Sequence, residues 1–163
     1  MTLSAEDRLD ILDVITRADQ AASDRDPDTY VQLFTEDAVL DGSQGRHAGR
    51  DALRAAVGPV WAAEGPATQH LTLNPVIQAA DDSGAIARSV LLIIDPAAPA
   101  TIRTIAAITQ TLIRKNGQWY ISRRTVASPA LSPCALNAIN LSGPGSVPMA
   151  PTVPLQRAAM NRC

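Results

Sequence analysis

The stretch ATIRTIAAITQTLIRKNGQWYISRRTV, residues 100–126, decides the fold. Asn116-Gly117 at its centre is the strongest short hairpin signal in the chain, because both central positions of a type I′ turn need positive φ. The run before it, Ala100 to Arg114, is long enough for a strongly bent strand, and Gln118 to Val126 is the strand that returns. Upstream, Asp95 to Pro99 reads as a loop, Ala85 to Ile94 as a strand, Asp82-Ser83-Gly84 as a turn and Thr68 to Gln78 as another strand. Four successive strands joined by short connections make an antiparallel meander.

The chain ahead of these strands is helical. Leu9, Leu12, Ile15, Ala18 and Ala22 recur at steps of three and four, which places them on one face of a first helix. Ser4 with Asp7 caps its start, since a short oxygen side chain accepts from the orphan N–H groups there. The helix ends near Ser23 to Arg25. Asp26-Pro27 opens a short second one, with Tyr30, Val31, Leu33 and Phe34, ended by Thr35-Glu36-Asp37. Ala38 to Asp41 is a strand and Gly42 to Gly45 a turn. Gly49-Arg50-Asp51 introduces a third helix with Leu53, Ala56, Val57, Val60 and Trp61 on one side, which Gly58-Pro59 should break or kink. Helices followed by a run of strands predict an α+β domain, its curved antiparallel sheet closed on the concave side by the N-terminal helices, with a pocket between.

The 163 residues suffice for one domain with a real core. A formal net charge of -2 gives no field for nucleic acid, although every Asp and Glu lies at or before Asp95 and the basic residues dominate after it. Folding is expected to mix the two halves. The polar, acidic start reads as no signal peptide, and the longest aliphatic run, Val90 to Ile94, is too short to span a bilayer. The expected setting is cytoplasmic, with no membrane partner. Cys134 and Cys163 show no metal-ligand spacing. The domain is expected over 1–127. Residues 128–163 form a Pro-rich C-terminal extension, expected to be ordered over the pocket mouth or a partner subunit.

Four segments carry a resemblance. Asp26-Pro27-Asp28 leading into Leu33-Phe34-Thr35-Glu36-Asp37-Ala38-Val39, the helix start Gly49-Arg50-Asp51-Ala52-Leu53, the strand Thr68-Gln69-His70-Leu71 with Asn74-Pro75, and the hairpin Asn116-Gly117-Gln118-Trp119-Tyr120-Ile121 with Arg124 together resemble the SnoaL-like proteins of the nuclear transport factor 2-like superfamily. The resemblance spans roughly residues 5 to 127 and implies a cone-shaped α+β fold. The superfamily contains scytalone dehydratase, ketosteroid isomerase and polyketide cyclases, and also non-catalytic members, so the fold alone does not settle the reaction.

His70 is the first candidate for chemistry. An unperturbed imidazole titrates near neutrality, which suits proton transfer, and the resemblance implies a catalytic His on this strand. Strand alternation puts His70, Thr72 and Asn74 on one polar face, expected to line the pocket. In the dehydratase and dehydrochlorinase branches an Asp at the end of the first helix pairs with that His. The matching position holds Ser23, with Asp24 one residue later, so either register is open. Asp41, at the end of an apolar strand, is the alternative base, or simply a turn residue before Gly42. Tyr30 and Trp61 either line the pocket mouth or pack in the core. Trp119 is expected to be a structural plug and His47 to be exposed.

No phosphate loop, dinucleotide fingerprint, zinc spacing or Ser-His-Asp arrangement appears. The expectation is a cofactor-independent enzyme acting by dehydration, isomerisation or cyclisation on a small hydrophobic molecule. His70 would be joined by Asp24 or Asp41 in the chemistry, and Ser23, Tyr30, Trp61, Thr72 and Asn74 would contact substrate. A non-catalytic ligand-binding or partner-subunit protein is the rival reading. The apolar strands Val90 to Ile94 and Ile102 to Ile113 point to a homodimer formed through the convex face.

Overall fold

The computed structural model describes residues 2–80, 84–97 and 99–128. Its elements are helix α1 (Ala5–Ser23), helix α2 (Pro27–Gln32), strands β1 (Phe34–Gly42) and β2 (Gly45–Ala48), helix α3 (Arg50–Glu64), and strands β3 (Gln69–Ala79), β4 (Gly84–Asp95), β5 (Thr101–Lys115) and β6 (Gln118–Ala127). The expectations for the extension, for Cys134 and Cys163, and for most of the turn at 82–84 fall on residues outside the described ones.

The six strands form one curved, open sheet in the order β2-β1-β6-β5-β4-β3. Strands β3 to β6 are the expected antiparallel meander, and Asn116 and Gly117 both take positive φ at the β5–β6 turn. The sheet is not antiparallel throughout, however. Strand β1 runs parallel to β6, and the Ile121 amide donates to the Leu33 carbonyl at 2.9 Å. The strand that follows α2 also begins at Phe34, so Thr35-Glu36-Asp37 extends β1 instead of ending the helix. Pairing with β6 at Phe34 and again from Val39 onward holds the segment extended across an irregularity in register, which outweighs the local tendency to continue the helix.

Helix α1 begins with the expected capping box. The Asp7 amide donates to Ser4 Oγ, and the Ser4 amide donates to the Asp7 carboxylate. Its buried stripe is Ile11, Val14, Ile15, Ala18, Ala21 and Ala22, while Leu9 is 67 % exposed. Both stripes have helical spacing, and docking against the sheet selects the one rotated from Leu9. Helix α3 continues through Pro59. The missing N–H removes one ladder bond, and the buried residues Leu53, Val57 and Trp61 on either side of it hold the helix to the core. Its start is tied down by Arg50, whose Nε and Nη2 donate to the Phe34 carbonyl at 3.0 and 2.6 Å.

Strand β3 is an edge strand, and edge strands present unpaired backbone groups. Two side chains of α1 satisfy groups on this one. Arg8 Nη1 donates to the Ile77 carbonyl at 2.9 Å, and the His70 amide donates to Ser23 Oγ at 2.9 Å. The main core lies between the helices and the sheet around Ile11, Ile15, Phe34, Leu53 and Ile121. A smaller cluster of Leu91, Ile93, Ala106 and Ile108 sits farther along β4 and β5.

Candidate active site

Both clusters touch one cavity of about 200 Å³. Its walls are apolar over Ala22, Val57, Trp61, Leu91, Ile93 and Val126. The polar groups that reach it are few: Tyr30, His47, Glu64, His70, Thr104 and Arg124, with Ser43 and Gln44 of the β1–β2 turn. A mostly apolar wall with a few convergent polar side chains is the usual form of a small-molecule site.

His70 is buried on β3, and its Nε2 lies 2.7 Å from Glu64 Oε2. The acid that meets this His is therefore neither Asp24 nor Asp41. Glu64 is the last residue of α3, and a short connection through Gly65 folds the chain back onto β3, so that residues six apart in sequence face each other. Its side chain is 15 % exposed and that of His70 only 6 %. A carboxylate only accepts, so this bond assigns the ring proton to Nε2 and leaves Nδ1 as the basic nitrogen. Arg25 stabilises the junction. In a left-handed conformation at the end of α1, it donates through Nη2 to the Gly65 carbonyl and to Thr68 Oγ1.

Ser23 occupies the position where the resemblance implied an Asp, but its hydroxyl holds the His70 backbone and donates to the Asp19 carbonyl at 2.9 Å. It is buried and is not part of the cavity wall. Asp24 is exposed and accepts two bonds from Gln20 Nε2 at 3.0 Å. Asp41 is ion-paired to Arg123, away from the cavity. Thr72 is half-buried and Asn74 exposed, and neither lines the cavity. The alternation in burial holds through Thr72, which lies beyond the cavity wall, and fails at Asn74, which takes φ +52 in a bulge between Leu73 and Val76, where side chains leave the period-two pattern.

Tyr30 and Trp61 do line the cavity, in edge-to-face contact with ring centroids 5.3 Å apart. Trp119 is buried, with its Nε1 donating to Asp7 Oδ1 at 3.3 Å. His47 is not on open surface as expected. The residues read as a plain turn continue into β2, and its half-buried ring reaches the cavity with Nε2 unpartnered among the described residues.

A second polar group stands at the cavity wall on β6. Arg124 is 4 % exposed, its Nη2 lies 3.5 Å from the buried Asp19 carboxylate, and its guanidinium is 5.9 Å from the centre of the Tyr30 ring. Burial pushes the Tyr30 hydroxyl up from its ordinary value, so the phenol stays protonated. Burial is also the largest influence on Arg124 and acts against its charge, but Tyr30 and Asp19 outweigh it and the net direction is up. Sequence reading missed Glu64, His47 and the Asp19–Arg124 pair. Glu64 left a trace: with Val57 and Trp61 it falls at helical spacing on the buried face of α3, and a carboxylate on an apolar stripe needs a partner.

The SnoaL-like domain family matches residues 3–125. Among curated proteins, none matches the chain. A solved structure of a protein of unknown function with a cystatin-like fold, from Nostoc punctiforme, is 24 % identical and superposes with a TM-score of 0.73 over 80 % of this chain and 98 % of its own. A candidate scytalone dehydratase from Novosphingobium aromaticivorans is 20 % identical, with a TM-score of 0.63 over 76 % and 92 %. A protein from Catenulispora acidiphila, solved in complex with S-DNPA, is 19 % identical, with a TM-score of 0.67 over 76 % and 93 %. At these identities the likeness is one of fold.

Proposed function

This chain belongs to the SnoaL-like domain family, and from that premise we propose that it is a cofactor-independent enzyme moving protons on a small, mostly apolar molecule, by dehydration, isomerisation or cyclisation. One observation carries the reading: the His70–Glu64 pair at 2.7 Å, its imidazole buried and its carboxylate largely so, on the wall of a mostly apolar cavity. A carboxylate that orients an imidazole and stabilises its protonated form makes the ring an effective base. In the reaction His70 takes a proton from a carbon or hydroxyl of the substrate and returns it at another position. Glu64 fixes the tautomer and offsets the positive charge in between. The apolar wall keeps water away from the reacting centre. The protein from Catenulispora acidiphila, solved in complex with S-DNPA, is consistent with this use of the fold.

A test free of substrate identity is hydrogen–deuterium exchange, followed by NMR, at the acidic carbons of a panel of cyclic ketones and enones in D2O. The expected result is catalysed exchange that falls by about 10² to 10⁴ in His70→Ala, the usual contribution of a positioned acid or base. Exchange across the panel no faster than in buffer, with ligands still binding, would replace this reading with that of a non-catalytic binding protein.

The partner proposed for the convex face is a second copy of this chain. Leu71, Leu73, Ile102 and Ile105 are each at least 39 % exposed. Their strand registers bring Leu71 opposite Leu92, Leu92 opposite Ile105 and Ile94 opposite Ile102, which makes the patch continuous across β3, β4 and β5. Sedimentation should give a dimer at micromolar concentration, and Leu73→Lys with Ile105→Lys should yield monomer. A wild-type monomer refutes the proposal.

A further inference from the structure

The Asp19–Arg124 pair has no part in the proton transfer, and its geometry is incomplete. A guanidinium carries five N–H donors in a fixed plane. Arg124 is buried, its contact to Asp19 is a single long one at 3.5 Å, its other neighbour among the titratable groups is the Tyr30 side chain, and its Nη1 finds no hydrogen-bond partner among the described residues. A buried unsatisfied donor is destabilising, the more so on a charged group. Gln110, opposite Arg124 in the β5–β6 register, is fully buried with both amide atoms likewise unpartnered. Arg124 forms part of the cavity wall.

We propose that Arg124 is the specificity-determining residue of the cavity and that the substrate is an apolar acid, a hydrophobic body bearing one carboxylate that pairs with the guanidinium at the cavity wall. A carboxylate is the acceptor that a planar donor fork matches best, and charge-assisted bonds are about twice as strong as neutral ones. A neutral amide or alcohol of the same shape satisfies one donor but supplies no charge. The size is also bounded. A cavity of about 150 Å³ accommodates benzene, so about 200 Å³ suits a single ring with small substituents. This inference rests on the proposed use of the cavity as a substrate pocket, but its test involves no turnover.

The experiment measures equilibrium binding of 4-isopropylbenzoate and 4-isopropylbenzamide to the full chain, by calorimetry or by NMR. The acid should bind at least about tenfold more tightly than the amide, as expected for a charge-assisted bond in a desolvated site. In Arg124→Gln that preference should vanish while amide affinity changes little. Removing Arg124 alone strands Asp19, which can compromise folding. The double variant Asp19→Asn with Arg124→Gln removes both charges and should show the same loss, while Asp19→Asn alone should keep or strengthen the preference. Equal affinity for acid and amide in wild type, no detectable binding of the acid at millimolar concentration, or an intact preference in either variant lacking Arg124 would overturn the proposal. Acid preference without proton exchange would leave this inference standing and remove the catalytic one, and the converse result would do the reverse.

Discussion

Ser23→Ala should destabilise the domain measurably, whereas Asp24→Ala, one residue on, should not. Ser23 Oγ sits at the junction of α1 and the edge strand β3, where it accepts from the His70 amide at 2.9 Å and donates to the Asp19 carbonyl at 2.9 Å. The substitution removes only the oxygen. The Asp19 carbonyl keeps its place in the helix ladder, but the His70 amide points off the sheet edge at a buried position and loses its acceptor. An orphaned buried donor costs about 1–3 kcal/mol. For a domain of this size each kcal/mol corresponds to roughly 3–5 °C in Tm, so a fall of about 3–15 °C is expected. Asp24 is exposed and its carboxylate bonds only to Gln20 among the described residues, and its truncation should stay within about 0.5 kcal/mol. Thermal and urea unfolding followed by circular dichroism give both values. The acid–amide binding assay on the same proteins shows whether loosening the His70 backbone alters the cavity. Equal melting temperatures for wild type and Ser23→Ala would refute the edge-pin argument, and a larger effect at Asp24 would mean that the register between α1 and β3 is wrong.

Two further outcomes follow from the packing and the charges. Trp61→Ala should cost about 3 kcal/mol in urea unfolding, the low end for a buried tryptophan because one side of the ring already meets the cavity. It should also admit ligands with a second ring, and a loss under 1 kcal/mol would contradict its place in the core. Acid should destabilise the fold in a defined window. Hydrogen bonds from Ser4 hold Asp7 below the usual carboxylate range, the Thr29 bonds do the same for Asp26, and the Arg103 bond does so for Asp95. A depressed folded-state pKa contributes stability that is complete above the unfolded value, near 4, and is lost as pH falls through the folded one. Tm should therefore be flat in these groups' contribution from neutrality to about pH 5 and drop below about pH 4, less steeply in Asp7→Asn. An Asp7→Asn protein with the wild-type acid slope would count against the linkage.

The features the sequence determined are local ones. The Asn116-Gly117 hairpin is legible because positive φ at two successive positions suits few residues, and the Ser4–Asp7 capping box because its partners lie three residues apart. Strands β3 to β6 were visible as long apolar runs between turn signals. His70, Tyr30 and Trp61 were singled out with no knowledge of their neighbours, and all three meet the cavity. What only the tertiary structure decided is every choice between equivalent local patterns. Two stripes of α1 have helical spacing, and docking chose the one with Ile11 over the one with Leu9. Whether Ser23, Asp24, Asp41 or Glu64 would meet the imidazole depended on how the connection through Gly65 returns α3 to β3, which spacing along the chain does not encode. The parallel pairing of β1 with β6 and the contact of Asp19 with Arg124, 105 residues apart, likewise arise only on closure of the sheet over the helices. Periodicity records which way a side chain points from its own backbone. The group it meets is set by how distant segments pack, because burial rewards any arrangement that removes apolar surface and satisfies the polar groups within it.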